Sequence, residues 1–361
     1  MDSPAPMSSV VDFVDELRNA QFIVMDAFRR SRGDALEALG FGPRECDHRI
    51  VASGPHWRLR AYSEADERPP LLLVPAPIKR PYIWDLTPST SAVRHCLDQG
   101  SRVYLLEWTP PTDRDRSAGL EDYAYRAVSD CVAAIENAAP GAKPSLIGHS
   151  LGGTLAAIFC ALDGQSVRRL VLLGSPLCFA PRSSRFRDAL VSLLPATIST
   201  ADIVPGSLLS HSSALASPET FVWERLRDAV LCVGGPPALA VGARVERWAL
   251  DEVPLPGRLV AEIAQLLYRE DRFYRGSLSL CGRRIGPSDL MLPTLAVVDT
   301  ADEIAPLDSV KPFLDATPAR TDVIEYPGET GVALQHLALL AGPRAHAEVW
   351  PRIFAWLQAR D

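Results

Sequence analysis

Paired cysteines are missing from this 361-residue chain: Cys46, Cys96, Cys131, Cys160, Cys178, Cys232 and Cys281 lie far apart and form no C-x-x-C. An odd number in mostly apolar settings excludes a disulfide scaffold and points to reduced, buried thiols. No H-E-x-x-H or clustered ligand set is present, so the sequence makes no case for a metal, and it calls for no cofactor. Basic excess is also lacking. With 37 Lys and Arg against 44 Asp and Glu, the net charge is -7, and nucleic acid is excluded as the main partner because such binding rests on a basic footprint. No apolar run is long enough to cross a bilayer, so no transmembrane segment is expected. The N-terminus, MDSPAPMSSVVDFVDEL, is acidic and lacks a secretory apolar region. The expected location is the cytoplasm.

What is present is ample apolar material, 47% of residues. That is enough for one large α/β domain with an insertion, or for two modest domains. The stretch that organises the chain is SLIGHSLGGTLAA, residues 145–157, in which Gly148-His149-Ser150-Leu151-Gly152 forms a G-x-S-x-G pentapeptide. A serine between an apolar strand and a small-residue helix sits at a strained bend, where neighbouring chain passes too close for side chains at Gly148 and Gly152. Ser150 is therefore the candidate nucleophile. The backbone N–H of Leu151, at the helix N-terminus, is a candidate oxyanion donor. The competing reading is a glycine-rich turn with an idle serine; the strand before it and helix after it favour catalysis.

In chain order, residues 9–39 read as an outer helix on the main domain or a docking surface for a partner. Ser9 and Asp12 resemble a capping box, and Phe13, Leu17, Ala20, Val24 and Phe28 recur at helical spacing. Residues 49–53 and 57–62 read as an edge hairpin around Ser53-Gly54-Pro55. Apolar strands at 71–74, 103–108, 145–147 and 170–173 alternate with helical segments, which indicates a mostly parallel sheet covered on both faces. From 176 to 290 the chain turns Pro-, Gly- and Ser-rich, with helical pieces near 185–194, 218–230 and 259–268 and no clear sheet strand. This is too long for an ordinary connection and reads as a mostly helical inserted cap. The sheet resumes at 294–298 and 322–326, and a final helix spans about 343–358 with Val349, Ile353, Trp356 and Leu357 on its apolar face. The resulting divisions are an N-terminal helical segment (1–45), a first core part (46–175), the cap (176–290) and a second core part (291–361).

A serine hydroxyl needs a base to take its proton and an acid to orient that base, expected in the chain order Ser, Asp or Glu, His. PTLAVVDTADEIAP, residues 293–306, ends a strand with two candidate acids, Asp299 and Asp302. Asp302 fits better, since it lies in the turn beyond the strand, whereas Asp299 suits fixing that turn through its own backbone bonds. For the base, His336 lies between the last strand and the last helix; His346 falls inside that helix, where a surface histidine is the ordinary expectation. His149 flanks the serine and reads as a wall of the pocket.

These residues match the α/β-hydrolase fold. A longer stretch, LLLVPAPIKRPYIWDLTPSTSAVRHCLDQGSRVYLLEW at 71–108, resembles the polyhydroxyalkanoate synthases, with their V-P-x-x-I-N-K/R-x-Y-I-x-D-L-x-P run followed by V-R-x-x-x-x-Q-G-x-x-V-Y/F-L-x-x-W. The resemblance continues through the elbow, Asp302, and HLALLAGPRAHAEVW at 336–350; in the cap it is weak, around Trp248 and Asp251. It implies acylation of a nucleophile by a hydroxyacyl-coenzyme A thioester and transfer to a hydroxyl. Ser150, Asp302 and His336 would inherit the roles of nucleophile, acid and base. The backbone N–H of Ile78 would be a second oxyanion donor, Lys79 or Arg80 would meet a phosphate of the acyl carrier, and a homodimer would form through the cap.

Three departures stand out. Ser150 replaces the family's usual cysteine, Lys79 replaces the asparagine after Ile78, and PGETGVALQH at 327–336 is longer than the family's approach to the histidine. Transfer from one thioester to a cysteine is nearly neutral, whereas transfer to serine makes a more stable oxyester. The expected function is single-step acyl transfer from a coenzyme A or carrier-protein thioester to an acceptor. The alternatives are a thioesterase or esterase, true polymer synthesis, and a catalytically silent partner of a synthase.

Overall fold

Largely apolar runs become the interior of one sheet. The computed structural model describes residues 8–63, 69–231 and 235–359. Eight strands, β1 (Arg49–Gly54), β2 (Trp57–Ala61), β3 (Pro70–Val74), β4 (Arg102–Trp108), β5 (Ser145–His149), β6 (Leu170–Leu173), β7 (Thr294–Asp299) and β8 (Thr321–Tyr326), lie in the order β1-β2-β4-β3-β5-β6-β7-β8. β1, β2 and β4 pair antiparallel, and every other pairing is parallel. All residues of β3 to β7 are buried, as strands covered on both faces must be.

Because side chains alternate across a strand, each strand feeds both layers. Leu72, Val74, Tyr104, Leu106 and Leu146 pack with helices α3 (Ala127–Ala138) and α4 (Leu151–Asp163). Leu71, Leu73, Val103, Leu105 and Ile147 pack against α2 (Ala92–Asp98) and the C-terminal helices. The last helical stretch is broken, Pro343–Glu348 and then Trp350–Gln358. The single helix read over 343–358 gives way because Pro351 lacks the N–H an unbroken helix would use.

Between β6 and β7 come α5 (Arg185–Leu193), α6 (Gly206–Ala216), α7 (Glu224–Leu231), α8 (Pro236–Ala249) and α9 (Gly257–Glu262). Two features correct the sequence reading. The stretch does contain strands: Leu278–Leu280 pairs with Arg283–Ile285 through a two-residue turn in which Cys281 and Gly282 have φ of 50° and 70°, the left-handed pair a tight hairpin requires. Its second half also belongs to the core, since Leu255, Leu259, Leu267, Phe273, Leu278 and Leu290 join the cluster around α3 and α4.

The N-terminal helix α1 (Ser8–Leu36), read from the sequence as lying on the main domain, packs on α6 and α8 of the segment between β6 and β7. The capping box at Ser9 and Asp12 and the stripe positions Phe13 and Leu17 lie outside the described side chains. Val24 and Phe28 are 69% and 63% exposed, while Phe22 is buried. Polar contacts set this rotation: the Ser207 N–H donates to Asp26 Oδ1 (2.8 Å), the Ser207 hydroxyl to the Phe22 carbonyl (2.9 Å), and Arg29 to the Ala249 carbonyl (2.8 Å). Phe22, Asp26 and Arg29 share one helical face. Among the described residues, no helix is long and apolar enough to cross a membrane.

Candidate active site

Ser150 stands between β5 and α4 with φ 55° and ψ -136°, a conformation that L residues adopt only where the surroundings impose it. Its N–H donates to the Leu173 carbonyl on β6 (3.0 Å). A Cβ at Gly148 would lie 2.4 Å from Gly153 Cα, and one at Gly152 would lie 2.3 Å from the Val74 carbonyl oxygen. Both glycines are thus required by close backbone passage, and they bring the head of α4 against the end of β3.

The loops after β7 and β8 converge on the elbow. His336 Nε2 lies 2.7 Å from Ser150 Oγ, and His336 Nδ1 lies 2.7 Å from Asp302 Oδ2. The other Asp302 oxygen accepts the Ile304 N–H (2.8 Å). With Nδ1–H given to the carboxylate, Nε2 is left to accept the serine proton. Asp302 and His336 are 3% and 7% exposed while Ser150 is half-buried, so the reactive oxygen is the open end of a buried hydrogen-bonded chain. Such a chain can deprotonate the hydroxyl as it attacks a carbonyl.

Asp299 sits beside this chain without joining it. Its Oδ1 accepts the Ala301 N–H (2.8 Å) and its backbone carbonyl accepts the Asp302 N–H (3.1 Å), so it shapes the turn that presents Asp302. Burial pushes its carboxyl up to about 7, with the neighbouring Asp302 adding to the effect. His346 is far from the elbow in role. It is half-buried, stacks on Trp350 and bonds the Leu340 carbonyl (2.8 Å).

His149 is buried behind His336, and its Nε2 lies 2.9 Å from the His336 carbonyl. Burial, and then the nearby His336, push its imidazole down to about 3; a neutral ring donates Nε2–H to that carbonyl. Its place is behind the base, with the Trp84 ring edge-on beyond it.

Of the candidate oxyanion donors, the Leu151 N–H opens α4 where no intrahelical acceptor exists. Ile78 lies in the loop after β3. That loop is held from two sides: Trp108 Nε1 donates to the Pro75 carbonyl (2.7 Å), and the Val253 N–H donates to the Ile78 carbonyl (3.1 Å).

Lys79, a candidate phosphate contact, is engaged within the fold. Its ammonium is buried against Glu252 Oε1 (2.9 Å) and Ser210 Oγ (3.2 Å), and Arg29 of α1 binds the same carboxylate oxygen. Burial pushes the Lys79 ammonium down to about 8 against the pull of Glu252. Burial also opposes the Glu252 charge, but Lys79 and Arg29 outweigh it and hold that carboxyl near 2. Arg80, a third exposed, faces Asp251 at 3.6 Å. Its carbonyl takes the Trp248 indole N–H (2.7 Å). Sequence reasoning passed over Glu252, although the adjacent Asp251 lay in the stretch of weak resemblance.

Comparison with known proteins bears on the fold and the family. A family model described as alpha/beta hydrolase fold matches residues 69–330. The poly(3-hydroxyalkanoate) polymerase subunit PhaC of Haloferax mediterranei is 31% identical over 297 residues, covering 81% of this chain and 59% of that protein. The PhaC of Haloarcula marismortui is 28% identical, covering 82% of this chain and 62% of that protein. The chain thus spans about three fifths of the length of these two relatives. The PhaC of Allochromatium vinosum is 26% identical, with 81% of each chain covered. Among solved structures, the naproxen esterase of Bacillus subtilis superposes with a TM-score of 0.52 at 14% identity, over 92% of this chain and 98% of that one. A hydrolase from Pseudomonas aeruginosa gives 0.51 at 16%, over 87% and 99%. Both show a shared fold.

Proposed function

Because the chain belongs to the α/β-hydrolase family, we propose that it is a serine acyltransferase of the polyhydroxyalkanoate synthase-like group. Its substrate is an acyl thioester of coenzyme A or a carrier protein. The observation that carries the proposal is the unbroken contact from Ser150 Oγ through His336 to Asp302, 2.7 Å at each link. Ser150 Oγ attacks the thioester carbonyl as its proton passes to His336 Nε2, and Asp302 steadies the imidazolium. The N–H groups of Leu151 and Ile78 receive the oxyanion. Collapse expels the thiolate, which takes the proton from His336 and leaves an oxyester on Ser150. An acceptor hydroxyl then repeats the sequence: His336 takes its proton, the acceptor oxygen bonds to the carbonyl carbon, and Ser150 Oγ leaves and is reprotonated.

Serine favours one forward transfer over repeated elongation. A thiol nucleophile exchanges one thioester for another at little cost, but the oxyester on Ser150 lies downhill from its donor. Intact-mass measurement of wild type and Ser150→Ala after exposure to a panel of acyl thioesters tests the first half. The expected result is an acyl adduct on wild type alone. Adding alcohols, amines and thiols tests the second half. Free acid as the sole product at every acceptor concentration would reassign the enzyme as a thioesterase, and the absence of any adduct or turnover would sink the acyl-enzyme.

A further inference from the structure

The loop that delivers His336 is held from outside. Asp228, half-buried on α7, accepts the Gly331 N–H on Oδ1 and the Ala333 N–H on Oδ2, both at 2.6 Å. Those two residues have φ of 90° and 61°. For Ala333, left-handed backbone is costly unless neighbouring structure imposes it. A carboxylate straddling both amides supplies that constraint, through charge-assisted bonds stronger than neutral ones. His336 follows Ala333 by three residues, and the buried side chains of Val332 and Leu334 anchor the chain on either side of Ala333. The acid turn is gripped from the same part of the cap: Glu303, next to Asp302, accepts the hydroxyls of Ser217 (3.3 Å) and Thr220 (3.1 Å). The short cap segment 217–228 therefore touches the loop of the acid and the loop of the base at once.

We propose that Asp228 is a positioning residue: by clasping the Gly331 and Ala333 amides it sets the loop that places His336 Nε2 against Ser150 Oγ. It touches neither substrate nor reacting atoms and acts through His336. The inference rests on the reading of Ser150 as nucleophile and His336 as its base. Its consequence is that the segment between β6 and β7 takes part in assembling the site, so release of α7 from the base loop disarms the serine without altering any of the three reacting side chains.

The test uses a fluorophosphonate, which labels a base-activated serine whatever acyl chain the enzyme prefers. Ser150 Oγ bonds to phosphorus, fluoride leaves, and the proton goes to His336. Asp228→Ala is expected to lower the maximal labelling rate about tenfold or more, the scale of loss that small misplacements produce, while the probe concentration giving half that rate stays within twofold. In a His336→Ala background the same substitution is expected to change the residual rate less than twofold, because residues acting as one unit are not additive. A wild-type rate in Asp228→Ala, or the same factor lost with and without His336, would overturn the proposal. Should Asp228→Ala fail to fold, Asp228→Asn, which keeps the volume and one acceptor, goes through the same cycle. Labelling of Ser150 without acylation by any thioester would instead defeat the proposed substrate and leave the role of Asp228 decided by the labelling rates.

Discussion

His149 and His336 meet twice: their rings lie 4.8 Å apart, and His149 Nε2 donates to the His336 carbonyl at 2.9 Å. One imidazole thus steadies the backbone of the other. A charged His149 would face His336 from a buried position, which is why its folded-state affinity for a proton is so low.

The first prediction follows from that. An imidazole held near 3 in the fold and near 6.5 when unfolded is protonated only in the unfolded chain between those values, so its contribution to stability is complete above 6.5 and is lost as pH falls towards 3. His149→Gln keeps a donor for the His336 carbonyl without the titration. Wild type is expected to lose about 2 kcal/mol more than this variant between pH 7.5 and pH 5, read from urea unfolding at both pH values. Parallel losses would show that His149 does not titrate in that way.

Asp299 has the opposite slope. Its carboxyl is raised from 3.8 to about 7 in the fold, so the folded state holds a proton the unfolded chain has released. Stability from this group is complete below 3.8 and is lost as pH rises to 7. Asp299→Asn retains the oxygen that accepts from Ala301 and removes the titration. The variant is expected to be more stable than wild type at pH 8, by about 4 kcal/mol, with most of the gain gone at pH 4. A variant less stable at both pH values would mean that Asp299 is needed as a carboxylate.

Glu252 binds Lys79 of the loop after β3 and Arg29 of α1 through the same oxygen. Glu252→Ala leaves both cations without that partner in a largely buried place, a change that costs about 3 kcal/mol or more. Glu348→Ala removes an exposed pair with Arg344 and should cost less than about 1 kcal/mol. Denaturant midpoints of the two variants make the comparison. Equal small losses would show that the Lys79 cluster is solvated.

Ser150→Cys changes the chemistry of the adduct. On the proposed function, the wild-type acyl-enzyme persists in millimolar free thiol, while the cysteine variant, if acylated, loses its acyl group to that thiol by exchange. Intact mass followed over time distinguishes them. Rapid loss from wild type under the same conditions would argue against an oxyester on Ser150.

Local pattern carried most of the architecture. The runs at 71–74, 103–108, 145–147, 170–173 and 294–298 are apolar at every position but Glu107, Ser145 and Thr294 because both faces of the sheet are covered, and that composition survives in one dimension. The bend at Ser150 was equally visible, because Gly148 and Gly152 are the residues that close backbone passage leaves room for. α6 and α8 were not visible: α6 opens on a glycine and carries four serines, and α8 begins on two prolines. The orientation of α1 misled for a related reason. A helix with apolar residues on more than one face can turn either way, and the polar contacts of Asp26 and Arg29 with distant Ser207 and Ala249 settled which face went in.

Strand order of hydrophobicity, the glycine-flanked serine and the two aspartates in DTADEIAP were all properties of neighbouring residues, so the primary chain was enough to specify them. The meeting of Asp302 with His336, and the diversion of Lys79 onto Glu252, depend on contacts across 34 and 173 positions of chain. So does the grip of Asp228 on a loop more than 100 residues away. No local spacing encodes such meetings; they exist only once burial of the core has fixed where each loop emerges, and desolvation then decides which charges must find partners.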